Sequence, residues 1–337
     1  MKAVGYKASH PHDHPEALID LSLDKPQPQG RDLLVRVQAV SVNPVDTKVR
    51  RNMAPADGAT RILGFDAAGV VEAVGPQATL FNPGDAVFYA GDLTRSGTNA
   101  EFHLVDERIV GPKPTSLDFA PAAALPLTAI TAWEMLFDRF GIMKGEGKGK
   151  SILIVGGAGG VGSIAVQLAR QLTGLTVLAT ASRPETQAWV KELGAHHVID
   201  HGKPMPEQIK AAGFSGGIDY IFSTTETMQH AAAFAEIVAP QGKFGLIDDP
   251  KGFDVSIFKR KSVAVYWEFM FTRSMFQTPD MVAQHDLLAE VAKLVDAGTL
   301  RTTLADVLGP INAVNLRKAH GLVESGRTRG KLVLAGF

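Results

Sequence analysis

The sequence predicts an α/β chain in two parts, a β-rich unit followed by a doubly wound parallel sheet. Three observations carry this. Short apolar strands punctuated by Gly and Pro fill roughly the first 120 residues. From Ser151 onward strand and helix alternate at short intervals, and a glycine-rich turn stands at the first strand–helix junction of that stretch. At 337 residues the chain suits two packed domains rather than one core.

The first part opens with Ala3–Tyr6, and after the turn-prone Pro26 to Gly30 comes the mostly apolar strand Leu33–Val40. Gly69–Gly75 and Asp85–Tyr89 follow as strands. Pro83 and Gly84 make the turn between them, since Pro presets φ and Gly tolerates positive φ. Asn99–Val105 reads as another strand, and Ala129–Phe137 has helical spacing. Ser151–Val155 is a continuous apolar strand of the kind buried on both faces of a parallel sheet. Then come a helix to Gln171, the strand Thr176–Thr180, and a helix from Pro184 to Leu193 closed by Gly194. His197–Asp200, Ile218–Phe222, a helix from Met228 to Val238 and the strand Gly242–Ile247 complete the alternation. An amphipathic helix is expected from Met281 to Ala297, and a last strand, Gly330–Leu334, is expected to rejoin the first part.

Composition removes several function classes. A net charge of −1 gives no basic field for nucleic acid or an anionic membrane. The start lacks a signal peptide's apolar run, and the longest apolar stretches are read as broken by Gly, Pro or charge before a bilayer span; a cytoplasmic protein is the expectation. There is no Cys, which excludes disulfides, thiolate nucleophiles and every cysteine-ligated zinc site. His10, His12 and His14 lie in a polar, Pro-broken loop, read as solvated, and no metal is assigned there.

The chemistry-bearing motif is Gly157, Ala158, Gly159, Gly160, Val161, Gly162, a G-x-G-x-x-G directly after a buried strand and opening a helix. That is the Rossmann dinucleotide context. The glycines permit the tight turn, close approach of backbone to pyrophosphate, and tight helix–strand packing. About 20 residues on, an NAD enzyme places Asp or Glu for the ribose. Here Ser182 and Arg183 stand instead, with donors suited to a 2′-phosphate, so NADPH is the expected cofactor.

Five segments in order, Val42–Asp46, Gly64–Gly69, Pro83–Val87, Leu125–Ala132 and the glycine turn, resemble the medium-chain dehydrogenase/reductase superfamily over essentially the whole chain. The likeness is to its zinc-independent quinone oxidoreductase branch, related to zeta-crystallin, whose members are often labelled zinc-type alcohol dehydrogenase-like. It implies a GroES-like catalytic domain (1–124 and 268–337), a Rossmann domain (125–267), an active site between them, and a homodimer. By motif alignment, the zinc ligands of relatives fall on Asn43, Phe65 and Leu127, none a normal ligand, so no zinc is expected. Candidate donors to a substrate oxygen are Asn43, Thr47, Tyr89 and Thr131. For the cofactor the resemblance adds His201, Ser223, Thr224, Leu246 and Lys331, and Phe65, Leu127, Trp267 and Phe269 are expected to wall the substrate pocket. Asn43 serves equally well as a turn cap, and the aromatic stretch 265–271 equally well as an interface or core strand.

Lacking Lewis-acid zinc, oxidation of a plain alcohol is hard, whereas hydride addition to a conjugated carbonyl or quinone spreads its charge onto an oxygen. The expected activity is therefore NADPH-dependent reduction of quinones or α,β-unsaturated carbonyls. The alternatives are an NADP-dependent alcohol or carbonyl dehydrogenase, and a dinucleotide-binding protein with vestigial catalysis.

Overall fold

The computed structural model describes residues 1–56 and 58–337. It divides into two compact units, Met1–Ile130 with Phe271–Phe337, and Thr131–Met270. The division falls inside the helix Pro126–Trp133, a few residues beyond the expected boundary at 124.

In the first unit the long strand Asp32–Val42 is the hub. It pairs antiparallel with Ala67–Val74, with Phe102–Asp106 and with the C-terminal strand Lys331–Ala335. The last pairing, Leu332 opposite Val42, brings the chain's end back to its beginning, as expected. Ala67–Val74 continues the sheet to Ala86–Tyr89 and then Val110–Pro112. Gly69 sits at a crowded point, where an added Cβ would lie 2.3 Å from the Arg36 carbonyl oxygen, so the strands meet closely only because it has no side chain. A smaller sheet joins Lys2–Tyr6 to Ile19–Ser22 and Arg61–Ile62. The helix Pro44–Asn52 was not legible from apolar spacing. It begins with Pro at its first turn and carries the charges Asp46 and Arg50 inward rather than an apolar stripe.

The second unit is a six-stranded, all-parallel sheet. Its spatial order is 197–199, 176–180, 151–155, 218–223, 238–246, 264–267. The strand Ser151–Val155 is central and buried throughout, as its unbroken apolar run requires. The helix Gly160–Leu172 follows it, and Trp189 of the next helix donates from Nε1 to Ser163 Oγ at 2.9 Å. Gly194 closes the helix Pro184–Glu192 with φ +109°. A core cluster on this sheet includes Leu153, Leu178, Ile221, Phe234, Phe244 and Phe258.

The helical run Phe119–Arg139 is longer than the sequence reading allowed. By length and apolarity alone it is a candidate membrane span, and 78% of its most apolar window is buried inside the protein, as a core helix would be. Its last part, Glu134–Arg139, is a π-helix.

Phe244 is fully buried, with Phe258 at 4.8 Å and Phe234 at 5.5 Å between ring centroids. Phe244→Ala is expected to cost about 3–5 kcal/mol, read as a lowered midpoint in urea unfolding with the slope unchanged.

Candidate active site

The residues expected to hold the cofactor gather at the carboxyl ends of the parallel strands, with one exception. Val155 ends the central strand and the chain turns through Gly156, whose φ is +73°. Gly156 N–H donates to Thr180 Oγ1 at 2.9 Å and Gly157 N–H to the Thr180 carbonyl at 3.1 Å, pinning the turn to the neighbouring strand. Two of the glycines have a steric reason of their own. A Cβ on Gly157 would meet Ala179 Cβ at 2.8 Å, and one on Gly162 would meet the Gly156 carbonyl at 2.2 Å. At Gly159, the residue before the helix, a Cβ would find its nearest neighbour at 3.3 Å. The first-turn N–H groups of Gly160, Val161 and Gly162 have no partner within the helix, and its dipole adds positive potential there. An anionic diphosphate fits this cradle.

The other strand ends converge on it. Ser223 stands opposite both Val155 and Leu246 in register. Thr224 Oγ1 donates to the Val155 carbonyl at 2.7 Å and packs where a Cβ on Gly156 would go, while Ser223 Oγ and Thr227 Oγ1 are 2.7 Å apart. Ser182 is exposed. Arg183 is half-buried, its Nε 3.2 Å from Glu185. His201 follows the strand His197–Ile199; its Nδ1 is buried without a hydrogen-bond partner among the described residues, and its ring lies 6.2 Å from that of His230.

Lys331 is the exception, because it belongs to the other unit. It lies in the first unit, 3% exposed, with Nζ 3.1 Å from Asp66 Oδ2, 3.1 Å from the Val42 carbonyl, and hydrogen-bonded to Asn43 Oδ1. A buried carboxylate needs a counter-charge, and this ammonium supplies it. Asp66 also accepts from Ser41 Oγ and Asn43 Nδ2 on Oδ2, and from Leu127 N–H on Oδ1, each at 2.8 Å. Beside it Asp46 accepts from Asn43 N–H at 2.8 Å and Gly64 N–H at 2.9 Å. Burial pushes the Asp46 carboxyl up to about 7, against the lowering pull of the Asn43 N–H and the Lys331 charge.

This network changes the expected roles of the donors. Asn43 is 1% exposed, and its amide hydrogens go to Asp66 and, at 3.4 Å, to the Phe65 carbonyl. It is a strut, not an open donor. Thr47 Oγ1 donates to the Pro44 carbonyl at 2.9 Å. Tyr89 is fully buried, and burial raises its phenol well above the ordinary value. His103 Nε2 is 2.8 Å from the Ser96 carbonyl, which can only accept, so that nitrogen carries the hydrogen and Nδ1 accepts from Tyr89 OH at 3.1 Å. Burial lowers His103 to about 4, consistent with a neutral ring. Thr131 is buried at 4% exposure in the second unit.

Of the residues expected to wall a pocket, Phe65 is buried edge-on to Phe271 at 5.4 Å, and Leu127 is 8% exposed. Trp267 and Phe269 are 54% and 47% exposed, at the end of the outermost strand of the parallel sheet. A lysine inside the apolar strand Lys331–Ala335 was the available sign of a buried counter-ion. Nothing in the spacing announced that Asp66 was its partner.

Comparison with known proteins agrees with this architecture. Residues 29–115 match the alcohol dehydrogenase GroES-like domain family, and 193–334 match the family described as zinc-binding dehydrogenase. A Staphylococcus epidermidis zinc-type alcohol dehydrogenase-like protein is 42% identical over 99% of both chains. The chain belongs to the medium-chain dehydrogenase/reductase superfamily. It is an oxidoreductase by family, with that superfamily's nucleotide-binding fold. The mouse NAD(P)H oxidoreductase RTN4IP1, mitochondrial, is 31% identical over 90% of this chain and 81% of that protein. Among solved structures, a Rhizobium etli protein provisionally described as a zinc-dependent alcohol dehydrogenase is 62% identical over 100% of this chain and 98% of that one, with a TM-score of 0.96. A Pseudomonas syringae quinone oxidoreductase is 26% identical over 99% of both chains, with a TM-score of 0.83.

Two outcomes follow. Gly162→Ala forces backbone apart at the turn; we expect about 1–3 kcal/mol of lost stability together with lost dinucleotide binding, read by thermal melting and by fluorescence titration with NADPH. For Asp46 the folded carboxyl titrates near 7 and the unfolded one near 3.8. The folded state therefore holds the extra proton between those values, and the group's contribution to stability falls as pH rises from about 4 to about 7. Asp46→Asn should gain on the parent protein between pH 5 and pH 8 in urea midpoints; parallel curves would refute the assignment.

Proposed function

We propose that this protein is an NADPH-dependent reductase of quinones or α,β-unsaturated carbonyls that works without catalytic zinc, in the manner of the zinc-independent quinone oxidoreductase branch. The carrying observation is the donor set at positions 43, 65 and 127. An amide, a phenyl ring and an isobutyl group stand there, and the cation that Asp66 and Asn43 face is the Lys331 ammonium. These residues do not fit zinc, which takes thiolate, imidazole and carboxylate ligands in an open tetrahedron. The carboxylate beside them, Asp66, already accepts four donors.

The glycine turn does fit a dinucleotide, because it opens the helix Gly160–Leu172 on first-turn N–H groups that have no partner within the helix. Bound there, NADPH supplies a hydride. The residues' own work is binding and orientation. First-turn N–H groups hold the diphosphate, and Ser182 and Arg183 take the 2′-phosphate. The partly exposed Arg183–Glu185 pair is weak enough for a phosphate dianion to displace. Since the hydrogens of Asn43, Thr47 and Tyr89 are committed within the first unit, the proton that completes reduction comes from solvent. The names carried by the mouse and Pseudomonas relatives agree with this reading, and the name of the Rhizobium protein points the other way.

The deciding assay is NADPH oxidation with 9,10-phenanthrenequinone, before and after treatment with a strong chelator. Turnover with an unchanged rate is expected, and Arg183→Ala should raise KM for NADPH about tenfold or more while leaving NADH little affected. Activity that the chelator abolishes and zinc restores would overturn the zinc-free assignment.

A further inference from the structure

The N-terminal loop carries His10, His12 and His14, interleaved with Pro11 and Pro15, and the fold separates them by role. His12 turns inward. Its Nδ1 is 2.9 Å from Glu324, and its ring lies over Gly321, where a Cβ would come within 2.6 Å of it. His10 and His14 instead lie ring on ring, with centroids 4.0 Å apart and planes at 11°. Glu16 joins them, and one ligand-type atom from each of the three lies within 4.8 Å of the others.

We propose that His10, His14 and Glu16 form a surface site for a divalent late first-row metal ion of the zinc type. Two imidazoles and a carboxylate make a borderline donor set that suits zinc, nickel or copper, and not the all-oxygen shell that magnesium and calcium take. Zinc bonds of about 2.0–2.1 Å place tetrahedral ligand atoms about 3.3 Å apart, so the three must close slightly. All three residues are at least partly exposed and free to turn. The stacked rings open in the process, because a ligated ion lies in the plane of each imidazole. His14 Nδ1 now accepts from Glu16 N–H at 3.1 Å, which fixes its hydrogen on Nε2. Ligation through Nε2 moves that hydrogen to Nδ1 and leaves the Glu16 N–H to water.

What makes the site more than a chance encounter is how firmly its backbone is held. Arg50 Nε donates to the His10 carbonyl at 3.2 Å. Arg317 donates to the Pro15 carbonyl at 2.9 Å and the Leu18 carbonyl at 2.6 Å. Turns within the loop link His14 N–H to the Pro11 carbonyl and Ala17 N–H to the His14 carbonyl. The chain entropy of bringing three ligands together is thus already spent in folding, and an ion needs only to reorient side chains. Bound, it would clasp a loop that lies against the helices Pro44–Asn52 and Ala313–Glu324.

The test uses the full chain, made without a histidine tag and stripped with chelator, titrated with zinc chloride by calorimetry and melted with and without the ion. One zinc per chain with a raised Tm is expected, and magnesium chloride should give neither. His10→Gln and His14→Gln should each weaken zinc binding about tenfold or more, and Asp13→Asn, which removes a neighbouring carboxylate outside the site, should leave it intact. Circular dichroism of the metal-free variants separates lost ligation from lost fold. The absence of saturable zinc binding, or binding that survives intact in the folded His10→Gln/His14→Gln double variant, would overturn the proposal.

Discussion

Asp66 is the point on which the first unit turns. One buried carboxylate accepts from Ser41 and Asn43 at the end of the hub strand, from the backbone of Leu127 in the long helical run, and from Lys331 in the last strand. Three stretches of chain well apart in sequence are fixed to a single charge. Taking that charge out of water costs several kcal/mol, and the ammonium with three further donors offsets it. Removing one partner would leave the others facing an unpaired ion, so these residues stand or fall together. Asp46, on Asn43 and Gly64, extends the network by one more shell and brings its own desolvation cost.

The same network explains which parts of the site were legible in the sequence. The glycine turn was legible because its pattern is local: a strand, a tight turn and a helix start lie within a dozen residues. The parallel sheet was legible for a related reason, since strands buried on both faces must read as continuous apolar runs. Asn43, Thr47 and Tyr89 could be seen to sit in motif positions, but where their hydrogens go depends on Asp66, Pro44 and His103, and no spacing reveals that. The contacts of Lys331 were hidden in the same way. A lone cation in an apolar strand says only that a partner exists, not where.

The short strands and the charged helix show the other limit. Ile19–Ser22 and Arg61–Ile62 are too short to show alternation, and the helix Pro44–Asn52 buries Asp46, Thr47 and Arg50 alongside Val49. Arg50 makes the point clearly. It is wholly enclosed, yet its guanidinium meets Glu324, His320 Nδ1 at 2.8 Å and the His10 carbonyl, so a residue that reads as surface is an internal brace. His320 beside it is lowered to about 3, chiefly by burial and then by that same positive charge, which suits a ring that must accept from Arg50.

The return of the strand Lys331–Ala335 to the hub also sets an order of events during synthesis. The whole of the parallel-sheet unit leaves the ribosome before Lys331 does. That unit is continuous in sequence and can settle on its own, whereas the unit around it must wait with Asp66 uncompensated and one side of its hub strand bare. The nascent chain therefore carries an unsealed sheet margin for the time taken to make nearly three hundred residues, roughly fifteen to sixty seconds at 5–20 residues per second. Chaperone protection in this protein is needed most at its front end, and for longest there.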